Sequence, residues 1–182
     1  QVAVAPFVVR DLRDDSFNPT RGTWQSLVLR VAPGFLGTEV PIVKLVGQHS
    51  HYVPLPWQCN FRYALRAGWV RVIEGDEQVP IRERFFLGGR TSVRGFAENQ
   101  IGPRAGESAT SSGSPLGGDL SLSANVELEL PLLLGLRGVV FRDAGGLYLQ
   151  DRPIRLSDVR EASGVGVRSK TPVGALVLDY GF

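Results

Sequence analysis

The sequence predicts an all-β fold, an antiparallel transmembrane β-barrel to which this chain contributes about eight meander strands. Residues 119–130 alternate between polar and apolar side chains, as a strand with two different faces does. The 22 glycines and 12 prolines divide the chain into short segments. The connections between these segments alternate between short and long, which is typical of an outer-membrane barrel.

The clearest strand is predicted between Asp119 and Leu130. Its apolar side is formed by Leu120, Leu122, Ala124, Val126, Leu128 and Leu130, and its polar side by Asp119, Ser121, Ser123, Asn125, Glu127 and Glu129. In a soluble sandwich the polar side would face water, whereas in a membrane barrel the apolar side faces lipid and the polar side a lumen. A membrane-crossing strand needs roughly 9–11 residues, so the length of this segment favours the barrel.

Eight strands are predicted from β-branched and aromatic enrichment between glycine or proline boundaries. They cover residues 2–13, 23–31, 42–53, 58–71, 119–130, 137–147, 162–169 and 175–182. The connections at 18–22, 54–57, 131–136 and 171–174 are short, and those at 32–41, 72–118 and 148–161 are long. Short turns on one side and long loops on the other favour a membrane barrel over a soluble sandwich.

The predicted strands differ in how clearly their two faces separate. The fourth strand places Phe61, Tyr63 and Trp69 on one side and Arg62 and Arg66 on the other. The third strand is mixed, because its polar residues fall on both sides, and no lipid face can be assigned to it. Trp57, Tyr180 and Phe182 lie near strand ends, where an interfacial aromatic girdle is expected.

The connection over residues 72–118 is predicted to enter the barrel lumen. Its 47 residues include Phe85, Phe86, Val93 and Phe96, which would be costly to leave in water. Residues 105–118, rich in glycine and serine, are expected to be flexible. Because a closed eight-stranded barrel is filled by its own side chains, we expect this chain to be part of a larger barrel.

Composition argues against several functions. A net charge of +2 without a basic stripe gives no reason to expect nucleic acid. His49 and His51 share one strand face, but no third ligand lies at metal-binding spacing, and we expect no metal or other cofactor. The chain has no Gly-x-Ser-x-Gly elbow, and its serine cluster at 108–114 lies in the expected flexible segment, so no enzyme activity is expected.

Other features bear on how the chain is used. Cys59 is single and cannot form an internal disulfide, so it is interpreted as a small strand residue. The sequence contains no run of about 18 apolar residues, so no transmembrane helix is predicted. The sequence contains no methionine and opens from Gln1 directly into a strand-like run. We therefore expect a processed or excised piece of a longer protein.

Five motifs follow one another along the chain. They are Asp11–Gly22, Phe85–Gly89 leading to Val93–Phe96, Phe141–Gly145, Gly164–Arg168 leading to Lys170–Gly174, and Leu178–Gly181. Together, over essentially the whole chain, they resemble the BamA-type superfamily of outer-membrane assembly and translocation barrels, also called the bacterial surface antigen family. The resemblance implies a sixteen-stranded barrel preceded by periplasmic domains. Residues 1–182 would then be the C-terminal portion of the barrel, corresponding to strands eight to fifteen.

The resemblance also implies a functional loop. Its motif is Val93, Arg94, Gly95 and Phe96, its hinge is Gly88 and Gly89, and the acidic partners of Arg94 in the lumen are Glu127 and Asp143. This chemistry is reasonable, because a guanidinium group binds carboxylates bidentately. Four further charged residues are interpreted as generic polar residues of the lumen, namely Arg62, Arg66, Glu129 and Arg168.

The function implied by the resemblance is an assembly factor that folds β-barrel proteins and inserts them into the outer membrane without a nucleotide. The expected partners are the outer-membrane lipid bilayer, unfolded outer-membrane proteins and accessory assembly lipoproteins. The alternatives are a polypeptide translocation or secretion barrel of the same superfamily, or a passive outer-membrane channel. The expected location is the bacterial outer membrane, with an organelle outer membrane as the alternative because mitochondria and plastids keep relatives.

Overall fold

The computed structural model describes residues 2–106, 113–150, 153–171 and 174–182. Eight strands form one antiparallel sheet in sequence order, which confirms the predicted all-β meander. They are β1 Phe7–Asp11, β2 Gly22–Ala32, β3 Ile42–Pro54, β4 Asn60–Val72, β5 Leu120–Pro131, β6 Leu136–Tyr148, β7 Arg160–Thr171 and β8 Gly174–Gly181. Within these ranges no helix is long and apolar enough to span a membrane.

The first strand is shorter than predicted, since β1 begins at Phe7 rather than at residue 2. Pro6 has no backbone N–H and cannot complete a ladder of hydrogen bonds. Its carbonyl still accepts a hydrogen bond from Leu29 N at 3.0 Å, and Val4 forms an isolated bridge with Val31. The chain thus follows β2 beyond β1 without forming a regular strand.

The connection between β1 and β2 is a polar turn outside the strands. The Asp14 carboxylate accepts a hydrogen bond from the Thr20 hydroxyl and others from the backbone N–H groups of Thr20 and Arg21, at 2.9 and 3.0 Å. The hydroxyl hydrogen bond and the two backbone hydrogen bonds lower the pKa of Asp14 to about 2. This exposed turn is therefore held together by an ionised carboxylate at neutral pH.

The connection between β1 and β2, residues 12–21, is longer than the predicted turn at 18–22, because β1 ends early at Asp11, whereas the other connections keep the predicted alternation. Residues 55–59 and 132–135 join neighbouring strands tightly, whereas residues 33–41, 73–119 and 149–159 are longer. The predicted turn at 171–174 includes residues 172 and 173, which lie outside the described residues. The same holds for residues 107–112, on which much of the predicted flexibility at 105–118 and most of the serine cluster fall.

The two faces of the sheet differ in polarity and burial. On β5, Ser123, Asn125 and Glu127 are buried, whereas Leu122 and Val126 are 42 % and 41 % exposed. Exposed apolar residues continue on that side of the neighbouring strands, at Leu65, Val140, Val165 and Leu178. We call the side with Glu127 the inner face and the side with Val126 the outer face. This reversal of the usual soluble pattern is expected for a barrel strand with lipid on one side.

We call residues 73–119 the long loop, and its described residues pack on the inner face. One apolar cluster joins the loop to the later strands through Leu87, Val93, Ile101, Leu147 and Ala162, with Phe85 and Phe96 packed against it. A second joins it to the earlier strands through Val79, Ala32, Ile42 and Val70. Loop side chains that would be costly in water thus pack against the sheet.

Candidate functional site

The tip of the long loop lies against strands β6 to β8. Gly88 and Gly89, the predicted hinge, have φ angles of +113° and +87°, which side chains larger than glycine rarely tolerate. The Gly89 N–H donates to the Phe96 carbonyl at 2.9 Å and closes the tip. Val93 is fully buried, and Arg94 next to it is only 8 % exposed.

Arg94 and Asp143 form a bidentate pair on the inner face. The Nε and Nη2 atoms of Arg94 donate to the two carboxylate oxygens of Asp143 at 2.8 and 2.9 Å. The backbone N–H of Arg94 donates to the same carboxylate at 3.0 Å. Asp143 is fully buried. Loop backbone and loop side chain are therefore fixed by a single residue of β6.

The remaining donor of Arg94 contacts two more carboxylates. Its Nη1 lies 2.7 Å from Oε1 of Glu127 and 2.9 Å from Oδ2 of Asp179. Its guanidinium carbon stacks 3.6 Å from the centre of the Phe141 ring. Glu127 and Asp143 were predicted beside Arg94, but Asp179 and Phe141 were not, although both lie inside recognised motifs.

Three inner-face glycines make room for this arrangement. A Cβ atom at Gly164 would lie 2.3 Å from the Phe141 ring, and one at Gly166 would lie 2.1 Å from Oδ1 of Asp179. A Cβ atom at Gly181 would lie 2.7 Å from the backbone nitrogen of Gly95. Alternating glycines on β7 therefore let Phe141 and Asp179 lie flat beneath the loop tip. This alternation in Gly164–Arg168 is the sequence signal that could have located them.

The four charged residues interpreted as generic belong to a wider network. Arg168 contacts both Glu127, at 2.8 Å, and Glu129. Arg62 lies 3.4 Å from Glu127. Arg66 donates instead to the loop, at 2.7 Å to the Thr91 carbonyl. Charges on β4, β5 and β7 thus join the Arg94 cluster into one layer.

The site is suited to holding a segment in place. In the described parts of the chain no three His, Cys, Asp or Glu side chains are arranged to hold a metal ion. Arg94 supplies the positive charge that three neighbouring carboxylates need. Because these carboxylates belong to β5, β6 and β8, one arginine connects the loop to three strands.

An exposed apolar outer face and a polar inner face beneath a long loop define this protein as a transmembrane β-barrel. The profile of the Omp85 superfamily domain matches residues 3–182. The chain belongs to the Omp85 superfamily.

Individual relatives agree with this assignment. The chain is 31 % identical over 176 residues to an outer membrane protein assembly factor BamA from Nitratidesulfovibrio vulgaris, covering 95 % of this chain and 22 % of that protein. It is 28 % identical to a SAM50-like protein of Schizosaccharomyces pombe, covering 94 % and 38 %. It is 34 % identical to a mouse sorting and assembly machinery component 50 homolog, covering 69 % and 25 %. The chain thus spans well under half of each relative.

A solved structure shows the same fold. The crystal structure of BamA from Haemophilus ducreyi lacking POTRA domains 1–3 superposes with a TM-score of 0.83 at 20 % identity. The match covers 99 % of this chain and 38 % of that chain.

Proposed function

We propose that this chain is the C-terminal part of a barrel that folds other β-barrel proteins and inserts them into the outer membrane without a nucleotide. The observation that carries the proposal is the fixation of Arg94 by carboxylates from three strands. The similarity to an assembly factor BamA supports the same function. In the complete barrel the inner face lines the lumen, and the long loop enters it.

In this proposal the loop tip keeps part of the barrel wall in a defined arrangement while a client strand is added. Val93, Gly95 and Phe96 place Arg94, and Gly88 and Gly89 form the hinge. Glu127 and Asp143 hold the guanidinium group. Removing one partner of a buried ion pair typically lowers the free energy of unfolding by about 3–5 kcal/mol, because the other charge is left unpaired.

The proposed location is the bacterial outer membrane, and the proposed partners are the lipid bilayer, unfolded barrel proteins and accessory assembly lipoproteins. A secretion barrel of the same superfamily would use a similar scaffold. Depletion of the full-length protein separates the two. Assembly predicts loss of other barrel proteins from the outer membrane, whereas secretion predicts loss of a particular exported polypeptide.

The role of Arg94 is tested by a double-mutant cycle in the full-length protein. Arg94→Ala and Asp143→Ala should each impair barrel assembly in depleted cells while leaving strand content unchanged. The double variant should be little worse than either single variant, because both changes break one interaction. Arg82→Ala, an exposed loop arginine, is the matched control. Fully additive defects would mean that Arg94 and Asp143 act independently.

A further inference from the structure

The outer face carries a polar hydrogen-bonded network among its apolar residues. Gln25 Nε2 lies 3.1 Å from His49 Nδ1, and His49 Nε2 lies 3.4 Å from the Tyr63 hydroxyl. His51 Nδ1 lies 3.3 Å from the same hydroxyl. The strand register places Arg10 beside Gln25. Polar groups are unfavourable on a lipid-facing surface unless they bind one another or a polar ligand.

A trough of about 700 Å³ runs across the outer face from this network. Its lining includes small residues of β3 to β6, namely Gly47, Ala67, Ala124, Ala144 and Gly146. Larger apolar side chains flank them at Leu65, Leu122, Tyr148 and Ile154. Gln25 and His49 line one end, so the trough is polar at that end and apolar along its length.

The trough also has a direction relative to the membrane. Counted from the strand ends at the short connections, Gln25 is three residues away, His49 five, Ala124 seven and Ala144 eight. The row therefore climbs from the side of the short connections toward the side of the long loops. Crossing from β2 to β6 takes four strand spacings, about 19 Å in all. The trough is therefore long enough to hold one acyl chain, since the chains of each leaflet fill about half of a hydrocarbon core of about 30 Å.

We propose that this surface binds a phospholipid from the leaflet on the side of the short connections. One acyl chain lies in the trough, and the phosphate oxygens accept hydrogen bonds from Nε2–H of His51 and from the second amide N–H of Gln25, two groups that the hydrogen bonds of His49 and Tyr63 hold in place. Arg10 adds positive charge, which favours an anionic headgroup. A lipid matches the site because it has one polar end and one long apolar part, whereas a membrane-spanning polypeptide has no single polar end at this depth.

The proposal depends on the sidedness of the barrel and not on its assembly function. The full-length protein is reconstituted with phosphatidylglycerol that carries a photoactivatable group in its acyl chain. A parallel sample contains diacylglycerol with the same chains and no phosphate. Labelled peptides are then mapped by mass spectrometry. Phosphatidylglycerol should label β3 to β6 several-fold more strongly than diacylglycerol does.

Two variants and a control make the test specific. Ala124→Phe fills the trough and should reduce phosphatidylglycerol labelling there several-fold, and Ala67→Phe is the second choice if that variant does not fold. His49→Leu should reduce phosphatidylglycerol labelling but leave diacylglycerol labelling unchanged. Val140→Phe changes the same face outside the trough and should change neither.

The lipid site would be overturned if the trough is labelled no more strongly than the region around Val140. It would also be overturned if Ala124→Phe and Ala67→Phe both leave the labelling of the trough unchanged. Equal loss of both lipids in His49→Leu would overturn the headgroup assignment. Cross-links to a polypeptide in place of lipid would assign the trough to a protein partner and also overturn the proposal.

Discussion

At the scale of single residues, Arg94 is the side chain that organises the inner face. Its guanidinium nitrogens lie within 2.7 to 2.9 Å of carboxylates from Glu127, Asp143 and Asp179. In a buried site such carboxylates repel one another and favour a shared cation. The strength of the arrangement comes from geometry, because the planar fork of arginine satisfies several acceptors at once.

The contact with Asp179 makes the first residue-scale prediction. Asp179→Asn should lower the free energy of unfolding by about 1.5–3 kcal/mol, the usual value of a hydrogen bond to a charged group. The defect should be smaller than that of Asp143→Ala, since Asp143 also binds the loop backbone. Unfolding by denaturant in a bilayer measures both.

Gly166→Ala provides an independent check of the same contact. The added methyl group would lie 2.1 Å from Oδ1 of Asp179 and should displace that carboxylate from Arg94. The alanine variant should therefore lower the free energy of unfolding at least as much as Asp179→Asn does, because the methyl group would also lie 2.9 Å from the carbonyl oxygen of Leu178. If Asp179→Asn is as stable as the parent protein, the third carboxylate has no structural role.

At the scale of single elements, the period-two pattern was sufficient for β5 but not for β3. On β5 every apolar residue falls on the same face. On β3, Lys44 points inward and donates to the Glu83 carbonyl at 2.7 Å. His49 and His51 instead contact Tyr63 on the outer face. Polar residues on both faces cancel the alternation, so only the register with β4 separates them.

The sidedness of β5 gives a second prediction. Val126→Arg should destabilise the barrel in a bilayer by roughly 2–4 kcal/mol, because it places a cation on the lipid-facing side. The adjacent residue on that face, Arg142, is itself a cation and already pairs with Glu161, so the carboxylate of Glu161 is engaged when the new charge is added. Urea unfolding in lipid vesicles measures the change.

Ser121→Arg is the matched control for this substitution. Ser121 lies on the inner face of the same strand and lines a cavity of about 410 Å³ beneath the long loop. This arginine should cost less than the one at position 126. If instead Ser121→Arg prevents folding and Val126→Arg is tolerated, the sidedness of the strand is inverted.

At the scale of the whole molecule, the long loop is attached at two separate places. Its tip is fixed by Arg94, which binds carboxylates of β5, β6 and β8. Its base is fixed by Glu83, which is 8 % exposed and lies 2.6 Å from Arg30 on β2. Phe85 supports the base by packing directly against Gly68. A Cβ atom at Gly68 would lie only 2.5 Å from the Phe85 ring, so a glycine is needed there. The loop therefore connects early and late strands of the sheet.

Two attachments predict two independent sites of loosening. Glu83→Gln should increase tryptic cleavage after Arg82 at the base, and Arg94→Ala should increase cleavage after Arg90 near the tip. In the double variant both effects should add, because the two sites share no partner. Limited trypsin digestion followed by mass spectrometry measures each site separately. If the Glu83→Gln variant is cleaved after Arg90 as readily as the Arg94→Ala variant is, the loop detaches as one unit.

The sequence by itself determined the number and order of the strands and the sidedness of β5, because alternation and turn residues are local properties of the chain. It also indicated the pair of Arg94 and Asp143 through a recognised motif. The tertiary structure alone decided that Asp179 joins them, since 85 residues separate it from Arg94. That contact requires β8 to pair with β7 in one register and Gly166 to leave space for the carboxylate. The alternating glycines of β7 mark this space in the sequence, but they do not identify the side chain that fills it, because that side chain is close in the fold and distant in the chain.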